Sequence, residues 1–165
     1  MAINFPEGTQ NLPAIYRSSA VNASGSSTVN ILNIPGDAKK VCIWLYEMNH
    51  PSGFGLVRIG DAGGIETTGY DGQSSYVHSN NNTTHNTSGI PYWSSGNEAV
   101  SGCITLENQP GTNLWSFSGC GADPQSHIWV CGGRKGLSGT LDRIQVLNTN
   151  SSNFSGGQVW ITYEN

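Results

Sequence analysis

The chain has 165 residues, a net charge of −4 and only 11% charged side chains. That length fits one domain with a core of its own. The low charge leaves contact with solvent to Ser, Thr and Asn, which fill 49 positions, beside 22 glycines. This is the composition of a β-rich extracellular or virion surface. Lys39-Lys40 and Arg134-Lys135 are the only basic pairs, so there is no footprint for nucleic acid, and no apolar run is long enough for membrane insertion.

Residues 1–14 have little periodicity and two prolines. They read as an extended arm that attaches the domain, residues 15–165, to a neighbour through Ile3, Phe5, Pro6, Leu12 and Pro13. The opening MAINFPEGTQNLP has neither the basic region nor the apolar stretch of a signal peptide. Synthesis in a host cytoplasm, and use in folded form outside it, is the expectation.

Strands follow. STVNILNI (27–34) ends at the turn Pro35-Gly36-Asp37. KVCIWLYEM (40–48) is apolar on both faces, which predicts a central strand covered on both sides. Residues 55–59 alternate, and GDAGG (60–64) interrupts. A calcium loop needs several oxygen side chains at alternate positions, but Asp61 stands alone. A phosphate loop needs a following Lys and a helix, and neither is there. A hairpin turn with a bulge remains.

Residues 65–77 form a longer polar strand. SNNNTTHNTSG (79–89) has no apolar residue and reads as an exposed loop. Further strands are expected at 99–106, 114–117, 128–131, 141–147 and 158–163. Nine or ten short strands, separated by Gly, Asn, Ser and Pro, predict an all-β fold: an antiparallel β-sandwich, jelly-roll-like, with two sheets of about four strands each.

Nothing in the sequence asks for catalysis. The carboxylates are scattered, with no pair picked out for glycosidic chemistry. There is no G-x-S-x-G elbow, and the four histidines lack metal spacing. No enzyme activity, cofactor or metal is expected. Cys42, Cys103, Cys120 and Cys131 contain no C-x-x-C pair. Cys42 reads as a buried free thiol, and spacing leaves a Cys103–Cys120 or Cys120–Cys131 disulfide open. The Asn-x-Ser/Thr sites read as products of composition.

The aromatics are more suggestive. Trp44, Trp115, Trp129 and Trp160 lie on strands and are expected in the core or a subunit interface. Tyr92 and Trp93, beside Asn82 and His85, form the best candidate patch for contact with a ligand or receptor, an aromatic ring flanked by amides being suited to a sugar. Loop packing is the equal alternative.

Three stretches resemble a known family. MAINFPEGTQNLP is similar to the opening of small virion proteins of tailed phages, cyanophages especially. LVRIGDAGGIETTGY and KGLSGTLDRIQVLNTNSSNFSGGQVWITYE resemble the end domains of phage tail fibres and capsid appendages. Their pattern runs G-D-x-G-G-I-E-x-x-G-Y, then L-S-G-x-L-D-R-I, then F-x-x-G-x-V-x-I-x-Y-E. The chain matches it at Gly60, Asp61, Gly63, Gly64, Ile65, Glu66, Gly69 and Tyr70, from Leu137 to Gly139 and Leu141 to Ile144, and at Phe154, Gly157, Val159, Ile161, Tyr163 and Glu164. The 79–89 stretch and the cysteines lie outside it.

The resemblance implies a jelly-roll-like domain on a virion: a capsid decoration or cement protein, or a small head or tail appendage. Its partners would be phage capsid or tail proteins and further copies of itself, a homo-oligomer with a trimer preferred. A different class is a carbohydrate-binding tail-fibre tip that recognises a host surface glycan. Within the motif, Asp142 and Arg143 are expected on opposite faces of a strand, with Glu66 as the candidate partner of Arg143.

Overall fold

A computed structural model describes residues 14–77, 82–93 and 98–165. The arm residues Ile3, Phe5, Pro6, Leu12 and Pro13 lie outside them. Among the described residues there are fourteen strands and no helix. In chain order they are β1 (Ile15–Arg17), β2 (Val21–Asn22), β3 (Thr28–Leu32), β4 (Lys40–His50), β5 (Gly55–Asp61), β6 (Gly64–Ile65) and β7 (Tyr70–Val77). The rest are β8 (Asn82–Asn86), β9 (Ile90–Trp93), β10 (Glu98–Asn108), β11 (Leu114–Ala122), β12 (Ile128–Gly136), β13 (Arg143–Asn148) and β14 (Gly156–Glu164).

They form two antiparallel sheets packed as a β-sandwich. The larger runs β1-β14-β4-β10-β11-β12-β7-β8, with β2 also on β14. The smaller runs β3-β13-β5-β6, with β9 also on β5. The sandwich is therefore unequal, nine strands against five, where the sequence suggested about four in each. The added strands are the short β1, β2, β6, β8 and β9, of which β8 is the polar one. Asn82–Asn86 is not a loop but a strand paired with β7, held by backbone bonds that need no apolar residue.

The core fills the space between the sheets. Val41, Ile43, Leu45 and Met48 of β4 meet Val57 and Ile59 of β5 and Ile144 and Val146 of β13, all buried. The inward positions of β4 lose their alternation between Leu45 and Met48. Both neighbouring ladders shift register there, and Glu47 has φ 48°. This bulge inserts one residue, and the Ser101 hydroxyl accepts the freed Glu47 N–H at 2.9 Å.

Further along the sheet the core is built on glycine. Gly102 and Gly121 oppose each other, and a Cβ on either would stand 2.6 Å from the Trp129 ring. The two bare backbones make the slot that the fully buried Trp129 occupies.

One expectation for β4 is corrected. It is central in the ladder but covered on one face only. Trp44 and Tyr46 point away from the second sheet and remain exposed. Cys42, on that same outer face, is half-buried instead of buried.

Candidate functional site

The GDAGG segment is the turn of the β5–β6 hairpin. Gly60 pairs with Ile65 and Asp61 with Gly64, leaving Ala62-Gly63 as the loop. Asp61 Oδ1 accepts the Gly63 N–H at 2.8 Å, and Gly64 takes φ 138°, which a side chain would resist. The other oxygen, Oδ2, accepts from the Ser138 hydroxyl at 2.7 Å. Ser138 also donates its N–H to Glu66 Oε1 at 2.7 Å, and its one hydroxyl proton is shared with that oxygen, 2.8 Å away. Glu66 Oε2 binds the ammonium of Lys135, whose side chain is buried and lies 5.4 Å from the centroid of Tyr70. The Tyr70 hydroxyl accepts the Ile59 N–H at 2.8 Å and faces the Ile59 and Glu66 carbonyls.

This cluster joins the two familiar motifs. Asp61, Glu66 and Tyr70 come from the first; Lys135 and Ser138 sit at the second. Tyr70 and Lys135 belong to the nine-stranded sheet, while Asp61 and Ile59 belong to the other. The network is an inter-sheet clasp. It also brings two carboxylates onto one hydroxyl, a closeness that sequence spacing did not reveal. Neither is tuned to donate a proton as a general acid. For Glu66, burial pushes the pKa up, but the bonds from Lys135 and Ser138 outweigh it and hold the carboxyl below its usual range. Asp61 is lowered chiefly by Ser138. An acid catalyst needs the opposite shift.

Glu66 does not meet Arg143, which corrects the expected pair. Asp142 precedes β13 instead of facing across it, so its carboxylate turns back to Arg143 Nη2 at 2.6 Å. Lys135, absent from the sequence-level pairing, takes Glu66.

One member of the predicted contact patch, Tyr92, lies inside the protein. Tyr92 is fully buried, and this corrects its reading as a ligand contact. β9 pairs with β5 along the smaller sheet, and Gly55 leaves room for the Tyr92 ring. The Tyr92 hydroxyl lies 3.1 Å from His50 Nε2, and its ring packs 5.8 Å from Trp129. His50 is also fully buried, edge-on to Phe154, with Nδ1 unpartnered. Burial lowers its pKa to about 4, so it is neutral at pH 7. Elsewhere in the patch, His85 stays exposed, 3.8 Å from Asp71. Asn82 begins β8 and Trp93 ends β9; their side chains are not among those described.

The exposed apolar surface is elsewhere, on the outer face of the nine-stranded sheet. Register places Trp160, Trp44, Cys103, Cys120 and Val130 in one row across five strands. Tyr46, Ile128 and Val77 lie beside it, and Trp44, Tyr46, Val77, Ile128 and Val130 are all exposed. Trp44 and Trp160 stack at 6.4 Å, with the Arg17 guanidinium 5.0 Å from the Trp160 centroid. At one border the charges alternate: Glu164, Lys40, Glu107, then Arg134 and Asp71. Hydrophobic identity alone did not betray this face, because an outward Trp reads like an inward one.

A polar cavity of about 300 Å³ lies near the Lys40 end of β4, about 30 Å along the strand from His50. Lys39, Asn108, Thr112, Asn113 and Thr140 line it beside Trp115.

Comparison with protein-family models, with curated proteins and with solved structures gives no match. The likeness to phage appendage domains therefore rests on the motif residues alone.

Proposed function

We propose that the chain is a structural protein of a tailed-phage particle, carried on the virion surface as a capsid decoration or cement protein or as a small head or tail appendage. One observation carries the assembly role: the outer face of the larger sheet, where aromatic and branched side chains stand exposed in adjoining rows. A patch of this kind marks a protein–protein contact. Its occupant in this reading is another copy of the chain. The alternating charges at the border let a symmetry-related copy approach without facing a block of like charge. A threefold oligomer is the preferred arrangement. The phage setting comes from the motif resemblance. Residues 1–14 lead directly into β1, which among the described residues is an edge strand paired on one side, and serve as the attachment arm.

The deciding experiment is the copy number of the chain in purified particles, by quantitative mass spectrometry against the major capsid protein. A ratio approaching one per capsid subunit or capsomer means decoration; a handful per particle means a fibre or tail tip. Absence from particles overturns the proposal. Deleting residues 2–13 tests the arm: the truncated chain is expected to fold and to fail to join particles.

The polar cavity favours a second reading, a carbohydrate-recognising tip. Its amides and hydroxyls suit sugar hydroxyls, and Trp115 at its wall supplies a fluorescence signal. Host polysaccharide should quench that emission, and Asn113→Ala should weaken the response. No response in the native chain removes this reading.

A further inference from the structure

The sequence left the pairing of the cysteines open, and all four are free thiols in the structure. The ladder singles out two of them. Cys103 on β10 and Cys120 on β11 stand directly opposite each other on the outer face of the nine-stranded sheet. Cys42 faces Thr105 instead, with its sulfur 3.5 Å from the Thr105 hydroxyl. Cys131 faces Gly119 on the inner side, where burial pushes its thiol up to about 12. No other two cysteines share a register position.

The spacing suits a cross-link. Gln109 N–H donates to the Leu114 carbonyl at 2.9 Å at the end of this ladder. Counting back through the unbroken register makes Cys103–Cys120 a hydrogen-bonded pair, with a Cα separation of about 5.5 Å. Disulfides most often span about 5.5–6 Å between Cα atoms. The opposed Cβ atoms, about 4.5–5.5 Å apart in such pairs, must draw in by roughly 1 Å, so the bond forms under strain and reopens readily.

We propose that Cys103 and Cys120 are a reversible cross-strand redox pair, closed by thiol–disulfide exchange with a small-molecule disulfide. Cys120 is exposed and meets the oxidant first; Cys103 is half-buried beside it. The Cys120 thiolate attacks one sulfur of oxidised glutathione. That S–S bond breaks, a mixed disulfide forms on Cys120, and one glutathione leaves as a thiolate that takes up a proton. The Cys103 thiolate then attacks the Cys120 sulfur and expels the second glutathione. Two protein thiols are oxidised, and one glutathione disulfide is reduced to two thiols. Closure ties β10 to β11 in the middle of the sheet, next to Trp44, which opposes Cys103 from the other side. The inference does not rest on the proposed virion role, but Cys120 lies in the row proposed as the contact between copies, so the exchange takes place on the unassociated chain.

The test uses the folded chain incubated with oxidised glutathione, then alkylated and mapped by peptide mass. The expected product links Cys103 to Cys120, with Cys42 and Cys131 alkylated. Emission from Trp44 falls as the link forms and returns with reduced glutathione. Cys103→Ser should stop at a stable glutathione adduct on Cys120, while Cys42→Ser should close like the parent chain. Four alkylated thiols, a lasting adduct on Cys120 in the parent chain, or a link to Cys42 or Cys131 overturns the proposal. A link that survives excess reduced glutathione shows that the pair is not reversible.

Discussion

The two faces of β4 carry large apolar residues to opposite ends. Val41, Ile43, Leu45 and Met48 are sealed under the smaller sheet; Trp44 and Tyr46, between them in sequence, look outward. The inner set is aliphatic and the outer aromatic, but both are bulky and apolar enough for a core. Burial is decided by whether a second layer lies above the strand, and here only five strands face nine. The inner face should set stability and the outer face association.

The largest effect should come from the inner face. Trp129→Ala empties the slot over Gly102 and Gly121 and is expected to cost about 3–5 kcal/mol in denaturant unfolding. Trp44→Ala should cost no more than about 1.5 kcal/mol, the worth of a partly exposed aromatic stack. Equal losses would mean that the outer face is also packed in the isolated chain.

Acid should act next, again from inside. His50 is lowered to about 4 by burial, against 6.5 in the unfolded chain. Below pH 6.5 the unfolded state binds a proton that the folded state refuses. The stability from neutral His50 is complete above that value and is lost as pH falls towards 4, by about 3 kcal/mol in all. His50→Gln, which retains an acceptor for the Tyr92 hydroxyl, should flatten that segment of the profile. An unchanged acid slope would assign it to other groups. The same packing limits what Tyr92→Ala can report about receptors: it opens a cavity beside Trp129 and destabilises the fold.

The clasp between the sheets ranks third. Glu66→Gln leaves the Lys135 ammonium, deeply buried, without its carboxylate and should cost about 2 kcal/mol, less than for a fully buried pair because Glu66 is partly exposed. Adding Lys135→Met should restore part of the loss, whereas Glu66→Gln and Arg143→Gln should add without coupling, since the two side chains keep separate partners.

The clasp was half legible in the sequence. Asp61 and the glycines announced a turn because turn chemistry is local. The all-β class was equally readable, from strand length and punctuation. The partner of Glu66 was not, because Lys135 reaches it across 69 positions and only the sheet order brings them together. Tyr92 was misread for the opposite reason. A polar sequence next to it suggested a surface loop, yet the polar residues form a strand while the ring turns to His50. The opposition of Cys103 and Cys120 depends on register, which spacing does not encode.

The smallest effect on stability should come from the outer face, and there it is the contrast that matters. Tyr46→Ser and Val130→Ser remove exposed apolar groups that touch no second layer, so unfolding should shift by about 0.5 kcal/mol or less. If this face binds another copy, the same changes remove desolvated contacts at the centre of the interface, and the dissociation constant in native mass spectrometry or sedimentation should rise about tenfold or more. Changing a charge at the border, such as Glu107→Lys, should act mainly through salt-dependent association. Association unaffected by all three would take the apolar rows out of the assembly, and the β1 edge with its preceding arm would then be the surface that joins the chain to its neighbours.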